Sequence, residues 1–355
     1  MLTLTATVQT FIDMNVVSLF NGMNTGRQAL ENIGIKVDKY YSSEIKPYAI
    51  ELTQYHFPDT IQVGDVTKWK DWDIDWKTID LVLSGSPCQD LSAAGKRAGI
   101  NGSKSSLFFV FVDILEHIKS VNPKVLFLQE NVGSASKLDV GIMSRALGVY
   151  PVRINSSLVT AQLRDRYYWS NIRTKETMFD IVTDIPQPKN KGIMFKDIIT
   201  SGEVDRKKSK CLLSGLYNSF CYKDETSKEA QHYLINREKF GTLLIYENDK
   251  LKIKTNTIKG FDIVTENDCL DLSFPTSTTR RARVTKGKSP CLMESTNNLY
   301  SYKDGIVRTV NQIEMERLQG FPDGYTSILS KAKAGSLLGD GWTLPIIEHI
   351  FKFII

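Results

Sequence analysis

The fold is decided by residues 16–26, which read VVSLFNGMNTG. The apolar run is typical of a buried strand, and the glycines that follow it, Gly22 and Gly26, predict a tight loop that leads into a helix. Glycine lets the backbone approach a ligand closely, and a helix N-terminus offers unpaired N–H groups. Residues 16–26 therefore predict a strand, a loop and a helix that form one wall of a ligand pocket.

The same alternation continues to about Ser170, which predicts a largely parallel sheet covered by helices. After Pro186 and Pro188 the alternation is lost until about Arg308, which predicts a second, smaller and irregular domain. Two helices are predicted beyond it, at 311–318 and from Pro345 to the C-terminus. In the first half, the predicted strands are 16–20, 37–42, 79–84, 125–128, 154–159 and 167–170, and the predicted helices are 25–33 and 107–121.

The composition fits a globular protein. The chain has 355 residues, of which 41% are hydrophobic and 24% charged, enough to bury one large core and a smaller one. It has neither an apolar stretch long enough to span a membrane nor the N-terminal pattern of a secretory signal, so a cytoplasmic location without a membrane partner is expected. Five cysteines without a C-x-x-C pair favour free thiols, and no metal site is expected. The net charge of +5 permits a polyanionic partner without requiring one.

Two acidic residues follow strands near the predicted loop. Glu44 comes at the end of the second strand, where a carboxylate can accept hydrogen bonds from ribose hydroxyls. Asp65 follows a third candidate strand and is placed to meet an adenine amino group. The glycine spacing departs from G-x-G-x-x-G, which disfavours a dinucleotide. Ordinary turns with solvated carboxylates would give the same pattern, so this region alone leaves the ligand open.

A cysteine follows another buried strand. Residues 81–89 read LVLSGSPCQ and place Cys88 at the rim where open α/β sheets bind ligands. The stretch from Asp90 to Ser106 contains three glycines together with Lys96 and Arg97, and predicts a basic loop that can close over a polyanion. An isolated cysteine in such a place is more often an inert small side chain than a nucleophile.

Two further elements carry charged side chains to the same edge. Residues 127–132, FLQENV, put Glu130 at the end of a strand. Residues 161–166, AQLRDR, carry Arg164 and Arg166 at alternate positions of a predicted strand start, which predicts that both point to one face. A helix cap and a surface salt-bridge pattern are the alternatives for these residues.

These stretches resemble, in the same order, the motifs of the C5-cytosine DNA methyltransferases. The resemblance covers about 16–170 and about 308–351. FNG resembles the first cofactor motif, SPCQ the nucleophile motif, ENV the acid motif and QLRDR the paired-arginine motif. RLQGFPD, ending at Asp323, is similar to the ninth motif and is the most specific string. LLGDGWTLP resembles the last motif.

The resemblance implies a class I S-adenosylmethionine-dependent methyltransferase fold, with a mostly parallel seven-stranded sheet and helices on both faces. The implied domains are a catalytic domain at 1–178, a target-recognition domain at 179–328 and a returning segment at 329–355. The implied reaction is methyl transfer from S-adenosylmethionine to C5 of a flipped cytosine in a specific duplex DNA sequence, leaving S-adenosylhomocysteine. A monomer is expected, and a cognate restriction endonuclease is a candidate partner.

The resemblance also assigns roles to residues. Cys88 is the implied nucleophile, Glu130 stabilises N3 of the base, Arg164 contacts the base oxygen or holds Glu130, and Arg166 has a supporting role. The residues implied to bind the cofactor are Phe20, Gly22, Met23, Thr25, Glu44, Ile45, Asp65, Val66, Pro87, Trp342 and Thr343. The residues expected at DNA are Gln89, Ser92, Lys96, Arg97, Arg280, Arg281 and Arg283, the last three from a basic stretch at 273–290 that contains no acidic residue.

Three other functions are compatible with parts of the pattern. A tRNA cytosine-5 methyltransferase would use the same scaffold, but the expected Cys-Phe-Thr string followed by spaced tyrosines is missing. A catalytically silent DNA-binding homologue would not need the set Cys88, Glu130 and Arg164. Without the resemblance, a cysteine hydrolase is the alternative for Cys88, although none of the four histidines lies near a comparable strand end.

Overall fold

The computed structural model describes residues 13–87, 106–194, 197–198, 200, 209–210, 243–247, 250–255, 257–265, 269–271, 282–285, 299–301 and 311–355. The helices within these residues are α1 Thr25–Asn32, α2 Pro47–His56, α3 Ser106–Val121, α4 Lys137–Leu147, α5 Gln312–Gln319, α6 Lys331–Asp340 and α7 Leu344–Phe351. Short 3₁₀ helices span Val66–Asp71, Trp76–Thr78 and Ser156–Leu158. In the described part of the chain, no helix is both long and apolar enough to cross a membrane.

The strands form one large sheet and several small ones. The large sheet has seven strands in the order β3-β2-β1-β4-β5-β8-β6. Its first five strands pair in parallel, and β8 is antiparallel to β5. The strands are β1 Asp13–Leu19, β2 Lys36–Ser43, β3 Ile61–Gln62, β4 Leu81–Ser84, β5 Leu126–Val132, β6 Val152–Asn155, β7 Gln162–Leu163, β8 Asp165–Ser170, β9 Thr174–Glu176, β10 Ile181–Thr183, β11 Ser209–Lys210, β12 Leu244–Glu247, β13 Lys250–Lys254, β14 Phe261–Ile263, β15 Cys269–Asp271, β16 Arg283–Thr285 and β17 Leu299–Ser301.

The seven-stranded, mostly parallel α/β sheet confirms the predicted fold class. Val82 of β4 belongs to a core cluster that contains the buried face of α3, whereas its neighbour Leu83 lies against Gly26 of α1. Because successive strand residues point to opposite faces, α1 and α3 cover opposite sides of the sheet. A Cβ atom at Gly26 would lie 2.3 Å from Leu83 Cδ1, so this glycine serves the packing of α1 onto the sheet.

One predicted strand was partly wrong. The stretch predicted as a strand at 154–159 is β6 up to Asn155 and a 3₁₀ helix from Ser156 to Leu158. The side chain of Asn155 accepts a hydrogen bond from the N–H of Ser157 at 3.0 Å, and the N–H of Ser156 bonds to the carbonyl of Arg164 at 2.8 Å. Short polar side chains compete for backbone groups in this way and end strands early.

The chain divides into two compact units. The first comprises the residues up to Arg153, Arg166–Pro186 and Ile347–Ile355, and the second comprises Ile154–Asp165 and Gln187–Ile346. The first unit contains the core of the large sheet, where Phe108, Phe111 and Leu115 of α3 are fully buried. The second contains the small sheets β12-β13-β14 and β16-β15-β17 together with α5 and α6.

In the second unit, α5 and the turn after it are held by charged side chains. Glu316 is fully buried, and its carboxylate accepts hydrogen bonds from the N–H groups of Gly324 at 2.6 Å and Thr326 at 2.7 Å. Arg317 forms a bidentate ion pair with Asp323, with Nε to Oδ1 at 2.7 Å. The ion pair between the first and last residues of RLQGFPD thus closes the turn, and Glu316, just before the string, holds the backbone just after it.

Gly320 is expected to tolerate no side chain. Its φ is +78°, and a Cβ atom would lie 2.3 Å from Pro345 Cδ. Gly320→Ala is expected to lower the free energy of unfolding by about 3 kcal/mol, because left-handed strain and overpacking add. Gly324 also has a left-handed backbone conformation, with φ at +80°, but no atom lies within 4 Å of its Cβ position. Gly324→Ala is therefore expected to lower the free energy of unfolding by only about 1 kcal/mol. Chemical denaturation checks both, and equal losses would contradict the packing argument.

Candidate active site

The candidate site lies at the carboxyl ends of the central strands. Leu19 of β1 lies opposite Ser84 of β4, and Ser84 lies opposite Gln129 of β5, so β1 and β4 end at the level of Gln129. β5 continues beyond that level to Val132, paired with β8. In open α/β sheets, ligands bind at this edge. Phe20 and Glu44 directly follow the ends of β1 and β2, whereas Glu130, predicted at the end of a strand, lies within β5 two residues before its end.

Glu130 and Arg166 form an ion pair at this edge. Glu130 lies opposite Tyr168 across the antiparallel pair β5–β8, and Arg166 lies opposite Val132. Arg166 is therefore the diagonal neighbour of Glu130 on the same face of the pair, within reach of a long side chain. Arg166 Nε lies 2.8 Å from Glu130 Oε1, with the two side chains only 12% and 11% exposed. The arginine fixes the direction in which the carboxyl group points.

The two arginines differ more than their spacing predicted. Arg164 precedes β8, which begins at Asp165, so the expectation that both arginines alternate along one strand was wrong. Arg164 is buried and its guanidinium donates to the carbonyl oxygens of Gly339 at 3.0 Å and Gly341 at 2.8 Å. These carbonyls belong to the C-terminal end of α6, where a cation is favoured. The resemblance implied that Arg164 contacts the base oxygen or holds Glu130. In the structure, Arg166 makes the ion pair with Glu130.

The loop after β1 has an unusual backbone. Phe20, Gly22 and Asn24 all have positive φ, at 56°, 58° and 64°. Left-handed conformations at non-glycine residues are uncommon and carry strain. The loop is held by Glu44, whose Oε2 accepts a hydrogen bond from the N–H of Gly22 at 2.8 Å. This contact ties the end of β1 to the end of β2.

Glu44 and Asp65 are both organised by backbone N–H groups. Glu44 Oε1 accepts hydrogen bonds from the N–H groups of Ile45 at 2.8 Å and Lys46 at 2.9 Å. The N–H and the hydroxyl of Thr67 bond to Asp65 and hold the pKa of its carboxyl below its usual range. Asp65 is therefore ionised at neutral pH and can accept further hydrogen bonds. Ile45 is 72% exposed, which leaves an apolar surface beside the two carboxylates.

Several buried polar atoms at this edge have no hydrogen-bond partner. Both side-chain polar atoms of Asn24 are unpartnered, as are the hydroxyls of Ser42 and Ser84 near the ends of β2 and β4. Buried polar groups are normally paired, so a cluster of orphans at a ligand-binding edge fits a polar ligand or ordered water.

The remaining predicted cofactor residues lie in different surroundings. Met23, Thr25 and Val66 are buried in the first unit, and Phe20 and Pro87 are half-buried. In the second unit, Thr343 is buried, donates to Gln319 Oε1 at 2.9 Å and lies 2.8 Å from the hydroxyl of Ser156. Trp342 is half-buried.

The predicted nucleophile Cys88 lies outside the described residues. So do most of the residues predicted to contact DNA, namely Gln89, Ser92, Lys96, Arg97, Arg280 and Arg281. Arg283 begins β16. Within the predicted nucleophile motif, Ser86 and Pro87 are the described residues, and Pro87 directly precedes Cys88 in the sequence.

Two residues at the site were not selected from the sequence. Gln129 Nε2 donates to Ser86 Oγ at 3.0 Å, joining the residue before Glu130 to the segment that leads to Cys88. Gln129 is fully buried and Ser86 is 4% exposed. The only signal in the sequence was a glutamine inside the otherwise apolar start of FLQENV.

Comparison with known proteins shows the family. The model of the C-5 cytosine-specific DNA methylase family matches residues 14–355. The type II methyltransferase M.HpaII of Haemophilus parainfluenzae is 27% identical, covering 98% of this chain and 89% of that protein. The orphan methyltransferase M.SPRI of Bacillus phage SPR is 34% identical over 45% of this chain, which spans only 38% of that protein. The solved structure of the methyltransferase EhMeth of Entamoeba histolytica is 15% identical, with a TM-score of 0.56 and 98% of each chain covered.

The chain therefore belongs to the C-5 cytosine-specific DNA methylase family. Its activity is that of a DNA (cytosine-5-)-methyltransferase, as the family and the type II methyltransferase relative together indicate. The structural likeness to EhMeth supports the fold alone.

Proposed function

We propose that this chain methylates cytosine in a specific duplex DNA sequence through a covalent adduct with Cys88, with Glu130 as the acid and S-adenosylmethionine as the donor. The observation that carries the proposal is the Glu130–Arg166 ion pair at 2.8 Å, at the sheet edge reached by Ser86 and Pro87. An oriented carboxyl group next to the segment that leads into a cysteine is the arrangement that nucleophilic attack on a pyrimidine requires.

The donor fits the loop after β1. A nucleoside needs acceptors for its ribose hydroxyls and adenine amino group together with an apolar surface for the ring. Glu44, Asp65 and the exposed Ile45 supply these, and Gly22 leaves the backbone open to close approach. The orphaned side chain of Asn24 provides further polar groups beside the helix N-terminus. When bound, S-adenosylmethionine supplies the methyl group that C5 receives.

The chain's own residues prepare the base. The thiolate of Cys88 adds to C6 of the cytosine, which moves the electrons of the C5–C6 double bond toward N3 and makes C5 nucleophilic. Glu130 enters this step protonated and places its proton on N3, while Arg166 keeps the carboxyl group in position. After methylation, water takes the C5 proton, the C5–C6 double bond re-forms as sulfur leaves C6 as the thiolate, and N3 returns its proton to Glu130. The thiolate is then ready for the next turnover.

The target base is not accessible in a stacked duplex, so it must be flipped out at a cost of a few kcal/mol. Gln89, Ser92, Lys96 and Arg97 are proposed to close behind the base, and the basic stretch that holds Arg280, Arg281 and Arg283 is proposed to contact phosphates and base edges. A cognate restriction endonuclease is a proposed partner of the system, and the methyltransferase is proposed to act as a monomer.

Labelled methyl transfer to substrates tests the proposal. Incorporation into duplex DNA, with bisulfite sequencing placing the mark on cytosine within one recurring sequence, is the expected result. Transfer to tRNA in place of DNA would contradict it. Unmethylated plasmid and bulk tRNA at equal nucleotide concentration are the matched substrates.

Glu44 is expected to control donor affinity. Glu44→Ala removes hydrogen bonds to a charged acceptor and releases the N–H of Gly22, so the Kd for S-adenosylhomocysteine is expected to rise at least about 10-fold. Glu51→Ala makes the same chemical change at an exposed position of α2 and is expected to leave the Kd unchanged. Isothermal titration calorimetry measures both, and a parental Kd for Glu44→Ala would remove Glu44 from the donor site.

A further inference from the structure

A buried glutamine, Gln129, links Ser86, in the segment that leads to Cys88, with the backbone of Glu130. Gln129 is fully buried in β5, immediately before Glu130. Its side-chain Nε2 donates to Ser86 Oγ at 3.0 Å and to the backbone carbonyl of Glu130 at 2.7 Å. A carboxamide nitrogen has two hydrogens, so these two contacts use its full donor capacity.

The position is a costly one for a polar side chain. Its neighbours on β5, Phe127 and Leu128, are fully buried, and Gln129 Oε1 has no hydrogen-bond partner. An unsatisfied buried carbonyl costs about 1–3 kcal/mol, and a leucine or methionine would avoid that cost. The sheet alone therefore does not account for the glutamine, whereas its link to Ser86 gives it a role at the site.

Ser86 is the point where this link reaches the nucleophile segment. It lies two residues before Cys88 and after the end of β4, where regular pairing with β5 has stopped at Ser84 and Gln129. Beyond Ser84 the backbone ladder no longer sets the spacing between the two segments. A buried side-chain hydrogen bond does so in its place, and burial strengthens such a bond.

We propose that Gln129 is a positioning residue, which holds Ser86, two residues before Cys88 in the sequence, at a fixed distance from the carbonyl of Glu130. This inference rests on the proposed roles of Cys88 and Glu130. Misplacement of reacting groups by about 1 Å lowers rates by about 100-fold, so loosening this link is expected to act on the chemical step. Gln129 is fully buried, so the binding of donor and DNA is expected to be unaffected.

Three variants test the link: Gln129→Met, which keeps the volume and removes the amide, Ser86→Ala, and the double variant. Each single variant is expected to lower kcat and the rate of adduct formation on 5-fluorocytosine DNA about 10- to 100-fold, with the KM for DNA and donor within about 2-fold. The double variant is expected to be no slower than the slower single one, because both changes delete the same hydrogen bond.

Gln312→Met is the matched control. Gln312 lies on α5 in the second unit, and its side-chain Nε2 donates to the carbonyl of Thr326 at 2.8 Å and to the hydroxyl of Thr326 at 3.0 Å, so the variant makes the same chemical change and also deletes two hydrogen bonds. Its kcat is expected to stay parental. A parental kcat in Gln129→Met, fully additive effects in the double variant, or an equal loss in Gln312→Met would each overturn the inference. Cys88→Ser is run beside them: activity in that variant would overturn the proposed function itself, whereas an inactive Cys88→Ser beside an active Gln129→Met would overturn only the role of Gln129.

Discussion

Cys88→Ser is expected to methylate DNA at least about 1,000-fold more slowly than the parent enzyme. A serine hydroxyl is far less ionised at neutral pH than a thiol and is a weaker nucleophile toward C6. Bisulfite sequencing of DNA from cells that express each variant, together with single-turnover rates in vitro, measures the loss.

The control for this variant uses another cysteine. Cys211→Ser makes the same atomic change elsewhere in the chain, and its rate is expected to be parental. DNA binding by Cys88→Ser is also expected to be retained, since the nucleophile acts after the complex has formed. Methylation by Cys88→Ser at the parental rate would exclude a covalent route through this residue.

Glu130→Gln is expected to lower kcat about 100- to 1,000-fold without weakening DNA binding. The amide keeps the shape of the side chain but cannot supply the proton at N3, and it loses the ion pair with Arg166. Arg166→Met is expected to show a smaller loss in kcat, about 10-fold, because it removes the orienting group and leaves the acid. Steady-state kinetics with a titration of duplex DNA separates kcat from binding.

Glu116→Gln is the matched control for Glu130→Gln. Glu116 pairs with Lys119 on α3 at 2.8 Å and is 58% exposed, so its variant makes the same chemical change at the surface. Its kcat is expected to be unchanged. If Glu130→Gln kept the parental kcat, the ion pair at the sheet edge would be structural and another group would have to supply the proton.

Local patterns predicted the sheet well. The apolar runs that became β1, β4 and β5 were visible because parallel strands buried on both faces read as nearly continuous hydrophobic segments. The prediction failed at Ser156–Leu158, where the side chain of Asn155 accepts a hydrogen bond from the N–H of Ser157 and redirects the backbone. Such side-chain competition depends on geometry that apolar periodicity does not record.

The sequence predicted Glu130, Arg164 and Arg166 as site residues but not which of the two arginines contacts Glu130. The family resemblance implied that Arg164 contacts the base oxygen or holds Glu130, with Arg166 in a supporting role. Diagonal pairing of β5 with β8 gives the contact with Glu130 to Arg166. The alternating pattern could not predict the first residue of β8, because residues two apart, such as Arg164 and Arg166, fall on the same face of a strand whether or not the strand includes both. Contacts distant in sequence, such as Gly320 against Pro345, were also out of reach, since no local pattern reports them.

Mass spectrometry of the complex with duplex DNA containing 5-fluorocytosine tests the central claim most directly. Fluorine at C5 cannot leave as the proton does, so the enzyme should remain bonded to the methylated base. We expect a stable adduct whose peptide map places the DNA on Cys88. No adduct under turnover conditions, or one on Cys211, Cys221, Cys269 or Cys291, would contradict the account.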